Sequence, residues 1–149
     1  MTRTEIEALP ARVRGATEFD REIDAAVHAL RHGIPFRVVG ERVEREYHHA
    51  DDAEKRWHKS HDTRGVAGAS VSYVSYTGSL DAIVGLIERQ LGRWDISIDA
   101  RDEGWFCWIE EPHSRTTNGE GYGTTRPLAL CAAFLNALLS TLPDEDKSP

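Results

Sequence analysis

The hydrophobic period changes partway through this chain, and that change constrains the fold more than any other feature. Leu80, Ile83, Val84, Ile87 and Leu91 recur at helical spacing, whereas in RWDISIDA (93–100) Trp94, Ile96, Ile98 and Ala100 occupy every second position. The first pattern is one apolar stripe of a helix and the second one apolar face of a strand. Thr77 to Ser79 open the helix and Gly92 closes it. RDEG then supplies a turn, and WFCWIEE (105–111) returns as the second strand of a hairpin.

Beyond Pro112 the stretch HSRTTNGEGYGTTR is polar and glycine-rich, with Asn118-Gly119 suited to a tight turn and a third strand expected around Gly121 to Thr124. PLALCAAFLNALLSTL closes the pattern as a strong helix, with Pro127 near its start and Leu128, Cys131, Ala132, Leu135 and Leu139 on a stripe.

The first third is also helical. Ile6, Leu9 and Val13 share a stripe that Pro10 weakens or bends. Thr17, with Asp20 three residues on, has the form of an N-cap for a helix carrying Ile23, Ala26, Val27 and Leu30, which Gly33 and Pro35 stop. IPFRVVGERVE (34–44) is then expected to be one strand. Residues 45 to 70 are the least patterned part and are expected to form a polar inserted loop, with a helical turn from Asp51 to His58. SVSYVSY (70–76) suggests a short strand.

These elements, with hairpins and no regular strand–helix–strand alternation, predict an α+β domain. A small antiparallel sheet of about three to four strands packs against helices as a single-layer sandwich. Residues 1–143 form one domain, with the polar insertion at about 45–70 and a frayed tail at 144–149.

Composition narrows the function classes. No apolar run approaches the roughly 18 residues that cross a bilayer, and MTRTEIEALP carries charge where a signal peptide needs an apolar core. A cytoplasmic location with no membrane contact is expected. Cys107 and Cys131 both sit in apolar runs; free buried thiols are favoured there, the alternative being a pair formed by packing helix on strand. The net charge of −7 and the interleaving of bases with acids disfavour nucleic acid, whose affinity comes largely from clustered Lys and Arg. A protein partner is expected instead, with self-association left open.

YTGSLDAIVGLI (76–87) and TTRPLALCAAFLNAL (124–138), separated by a tryptophan-rich hairpin, resemble two landmarks of small phage and alphaproteobacterial prophage proteins. Their layout is similar to that of the phage ABA sandwich group. TEFDREIDAAV in the second helix resembles them loosely, and residues 40 to 70 do not. Arg126 departs from the small or threonine residue expected before the proline. The resemblance implies a phage accessory setting and transfers no catalytic residue.

Three groups of residues are candidates for chemistry. His48, His49, His58 and His61 fall within EYHHADDAEKRWHKSHD; on a helix, His58, His61 and Asp62 would share a face and suit zinc or nickel. The alternative is a solvated loop whose histidines only gain charge as pH falls. Gly121, Gly123, Thr124, Thr125 and Arg126 form a glycine-rich approach to a helix that would cradle an anion, yet no Walker lysine follows and a flexible hairpin tip is the favoured reading.

The third candidate is aromatic. Alternation sends Trp105 and Cys107 to one face of their strand and Phe106 and Trp108 to the other. With Trp94 these residues form a candidate protein-binding surface, unless helices cover both faces. No nucleophile–base motif such as GxSxG is present. The expected function is therefore a non-enzymatic phage-type accessory protein that binds another protein, such as a host or defence component. The alternative is a metal-binding domain or small metal-dependent hydrolase built on the histidines.

Overall fold

The computed structural model describes residues 2–33, 36–39, 42–48, 55–60, 75–92, 94–112 and 117–141. The fold is α+β, with element order α1 (Arg3–Gly15), α2 (Arg21–His32), β1 (Phe36–Val39), β2 (Arg42–His48), β3 (Lys55–Ser60), α3 (Leu80–Leu91), β4 (Asp95–Arg101), β5 (Gly104–Glu110), β6 (Thr117–Gly123) and α4 (Arg126–Thr141). The strands form two antiparallel three-stranded sheets, β1-β2-β3 and β4-β5-β6.

α4 is the centre of the molecule. Every residue from Leu128 to Leu135 is buried, as expected of a helix that is apolar all round. The inner face of β4-β5-β6 covers one side of it, and α1 and α3 pack on the others. Ile83, Leu86 and Ile87 of α3, Val13 of α1, Ile23 and Val27 of α2, and Cys107 and Ile109 of β5 complete one continuous core.

The glycines of β6 make that packing possible. Gly119, Gly121 and Gly123 recur at period 2 and turn the same face to α4. A Cβ on Gly121 would lie 2.3 Å from the Ala133 nitrogen and 2.5 Å from the Ala129 carbonyl oxygen. The helix answers with Ala129, Ala132, Ala133 and Ala137, so strand and helix meet backbone to backbone. The stretch expected to be a loop with a tight turn at Asn118-Gly119 is therefore a strand, and β6 begins at Thr117 rather than near Gly121.

Several boundaries also move. Asp20, not Thr17, caps α2: its carboxylate accepts from the backbone N–H groups of Glu22 at 2.9 Å and Ile23 at 3.2 Å. The capping box lies at the start of α1 instead, between Thr2 and Glu5. α1 runs unbroken through Pro10. Gly33 ends α2 at φ 70°, the left-handed cap expected of it, and Ser79 caps α3 through the Ala82 N–H.

The largest revision concerns residues 34 to 60. The single expected strand is two, β1 and β2, with Val38 paired to Val43, and β2 continues to His48 where a loop was expected. Lys55 to His58, expected as a helical turn, belong to β3, which pairs with β2 from Val43↔Ser60 to His48↔Lys55. RVEREYH and KRWHKS carry so much charge that neither shows the apolar alternation by which a half-buried strand is recognised. Of SVSYVSY, Ser75 and Tyr76 lie outside any strand, and the rest lies outside the described residues.

The YTGSLD landmark has a structural explanation. Asp24 of α2 is fully buried and accepts from the Thr77 N–H at 2.8 Å, the Thr77 hydroxyl at 2.9 Å and the Ser75 hydroxyl at 2.8 Å. Arg31 donates to the Tyr76 hydroxyl at 2.8 Å. Tyr76 and Thr77 thus lock the entry to α3 onto α2, and the charge is tolerated because its oxygens are hydrogen-bonded.

Candidate protein-binding face

The register of β4-β5-β6 sorts the aromatic candidates. Cys107 pairs with Ile98 on one side and Gly121 on the other, so Ile96, Ile98, Trp105, Cys107 and Ile109 line the inner face with the glycines of β6. Trp94 and Trp105 pack against the core. Phe106 and Trp108 stand on the outer face with Tyr122, paired across the sheet as Phe106↔Tyr122. Of the four residues expected to form one surface, the structure keeps two together and turns two inward.

Tyr122 is the addition that sequence reasoning missed. It is 48% exposed, and Phe19 is the only other large apolar side chain so open among the described residues. Its ring centroid lies 4.6 Å from that of Phe106, which lies 5.4 Å from that of Trp108. Offset, tilted pairs at these separations add about 0.5–1.5 kcal/mol beyond area burial. The alternation of GEGYG, glycines in and Glu120 and Tyr122 out, was the available signal, hidden by its glycine content.

Cations frame the cluster. The Arg101 guanidinium sits 5.2 Å from the Phe106 centroid and Arg14 5.4 Å from that of Tyr122, while Arg126 lies 4.9 Å over Trp105. Arg101 also pairs with Asp99 at 3.1 Å, an exposed contact of little stabilising value. A cleft of about 370 Å³ opens where the β4–β5 turn meets the end of β6, bordered by Arg14, Arg101, Trp105 and Tyr122 among others. At the far end of the sheet the charges are acidic, with Asp95 paired to Glu110. Among the described residues α4 packs on the inner face and no helix is seated over the outer one.

The anion-binding candidates have other partners. Gly121 and Gly123 are buried against α4. The Thr124 hydroxyl donates to the Ala16 carbonyl at 2.9 Å, tying the end of α1 to the start of α4, and the Thr125 hydroxyl accepts from the Leu128 N–H at 3.3 Å. Arg126 is stacked on Trp105. The helix start thus supplies one of its own caps.

Of the histidine candidates, His48 and His58 are in strands and not on a helix. His48 ends β2 and His58 lies in β3, opposite Arg45; their backbone positions stand three ladder steps apart, an odd number, and so belong to opposite faces of the ribbon. His49 and His61 lie outside the described residues. Among the described residues no group of three or more His, Cys, Asp or Glu is placed to hold a metal ion, and no helix is long and apolar enough to cross a membrane.

Both thiols are free and buried. Burial pushes the Cys107 thiol up to about 12, and Cys131 is raised further by burial and by the nearby Asp24 charge. Neither has the thiolate character of a reactive cysteine.

Comparison of the chain with protein-family models, with curated proteins and with solved structures gives no match.

Proposed function

We propose that this chain is a phage- or prophage-type accessory protein that acts by binding another protein, such as a host or defence component, through the outer face of β4-β5-β6. One observation carries the docking surface: Phe106 contacts both Trp108 and Tyr122 on a face over which no described helix sits, with Arg14 and Arg101 at its border. Aromatic clusters beside arginine are the usual composition of an interface centre. The phage setting is supported by the resemblance of YTGSLDAIVGLI and TTRPLALCAAFLNAL alone.

The test is a photo-crosslinking amino acid placed at Tyr122 and, as control, at Glu7 on the outer side of α1, in cells of the native host. Adducts formed at position 122 and lost on Trp108→Glu support the reading. Equal adducts from both positions, or none, refute it.

A further inference from the structure

The register lays out the outer face of β4-β5-β6 in rows: Asp95↔Glu110, Ser97↔Trp108↔Glu120, Asp99↔Phe106↔Tyr122 and Arg101↔Gly104. Two of its three aromatic rings already carry cations of this chain, Arg14 over Tyr122 and Arg101 over Phe106. Trp108 carries none among the described residues, although indole is the ring that attracts a cation most strongly. α1 is tied to the sheet at the Tyr122 end, where Arg14 meets that ring and the Thr124 hydroxyl donates to the Ala16 carbonyl. The Trp108 and Asp95 rows lie towards the opposite end.

Three carboxylates flank that indole. Glu120 stands directly across from it, at the roughly 5 Å Cβ spacing of cross-strand neighbours. Glu110 is two residues along the same strand, about 7 Å away, and Asp95 is opposite Glu110. None of the three has an ion-pair partner among the described residues, whereas Asp99 pairs with Arg101. Like charges directly opposite destabilise a sheet, so the Asp95–Glu110 pair is an arrangement that folding by itself does not favour. No group of three such side chains among the described residues is placed to hold a metal ion. The carboxylates are spread beside a ring rather than converged on a point, which suits a long side chain with its stem on the indole and its charged tip among them.

We propose that the partner docks a lysine or arginine side chain on Trp108, between Glu120 and the Asp95–Glu110 pair, so that this face recognises a basic surface on a protein. The proposal rests on the docking role stated above and supplies the chemistry of its partner. Charge complementarity carries it: a cation there answers three unmatched carboxylates and relieves the repulsion between Asp95 and Glu110. The same carboxylates repel the phosphates of nucleic acid. Arg14 and Arg101 already occupy the rings at the Tyr122 end, so the seat for a foreign cation is confined to the Trp108 end and fixes which way the partner lies.

Octalysine serves as the probe. Titrated into the full 15N-labelled chain, it is expected to shift the Trp108 indole N–H resonance, identified by its loss in Trp108→Phe, saturably and as octaglutamate does not. Glu110→Gln/Glu120→Gln weakens that binding about fivefold, from two exposed charge contacts removed. Glu18→Gln/Glu88→Gln, the same change of net charge at exposed positions elsewhere, leaves it unchanged. Asp95→Asn raises the melting temperature of the free chain. In the native host, adducts from the crosslinker at position 122 are lost in Glu110→Gln/Glu120→Gln. A Trp108 resonance indifferent to octalysine, octaglutamate bound as tightly, or binding weakened equally by both double variants overturns the proposal. Adducts that persist undiminished in Glu110→Gln/Glu120→Gln overturn it and leave the docking face standing. Absence of adducts from the otherwise unsubstituted chain refutes the docking face itself, and this proposal with it.

Discussion

The backbone N–H of Thr77 lies 2.8 Å from Oδ1 of Asp24, a carboxylate with no exposed surface, across 53 residues of chain. That bond, with those from the Thr77 and Ser75 hydroxyls, holds the start of α3 on α2. Asp24→Ala leaves three donors without their acceptor in the core and is expected to cost about 3–5 kcal/mol. Urea denaturation of the purified variant measures it, and a loss below about 1 kcal/mol contradicts the role assigned to Asp24.

Gly121→Ala is expected to cost several kcal/mol or abolish folding, because its Cβ would enter the Ala133 and Ala129 backbone. Gly85→Ala is the counterpart. Nothing lies within 4 Å of its added Cβ, in the middle of α3, so it is expected to stabilise by about 0.5–1 kcal/mol. Thermal melts of the two variants should shift in opposite directions.

The buried thiols set a pH dependence at the alkaline end. Burial raises the folded Cys107 from the ordinary 9.0 to about 12, so the unfolded chain loses its protons first. The stability this represents is intact below about pH 9 and is lost as pH rises towards 12. Cys107→Ala/Cys131→Ala should flatten the stability profile in that window. A thiol reagent at pH 8 should modify neither cysteine in the folded chain and both in urea.

Tyr122→Ser should leave the fold nearly untouched, at a cost of about 1 kcal/mol or less, since the ring is 48% exposed. Ile109→Ala, in the neighbouring strand β5 and fully buried, should cost about 2–5 kcal/mol. If Tyr122→Ser destabilises as much as Ile109→Ala, the outer face is covered and is not a docking surface.

The capping box makes α1 acid-sensitive. The Thr2 backbone N–H and hydroxyl hold the Glu5 carboxyl below its ordinary 4.5, so this contribution is present above that pH and fades as pH falls through the lowered value. Glu5→Gln should reduce the acid dependence of exchange at the amides of the first turn.

Sequence alone determined the elements whose apolar residues repeat with one period: α3, the β4–β5 hairpin and α4, each placed within about two residues of its observed bounds. Local chemistry was equally legible where one side chain decides the matter, at the Gly33 cap and the Ser79 cap. Such signals are carried by neighbours along the chain, so the chain itself displays them.

Tertiary structure decided the rest, because there the deciding partner is remote. GEGYG is a strand only because α4 offers a row of alanines close enough that nothing larger than hydrogen fits between them. Asp20 displaced Thr17 as the cap where its backbone N–H also donates to the Thr77 hydroxyl, at 2.8 Å. RVEREYH and KRWHKS became strands through their mutual register, with no apolar stripe to announce it. Alternation already separated Phe106 and Trp108 from Trp105, but placing Tyr122 beside them required β6 to pair with β5, a contact between residues far apart in the chain.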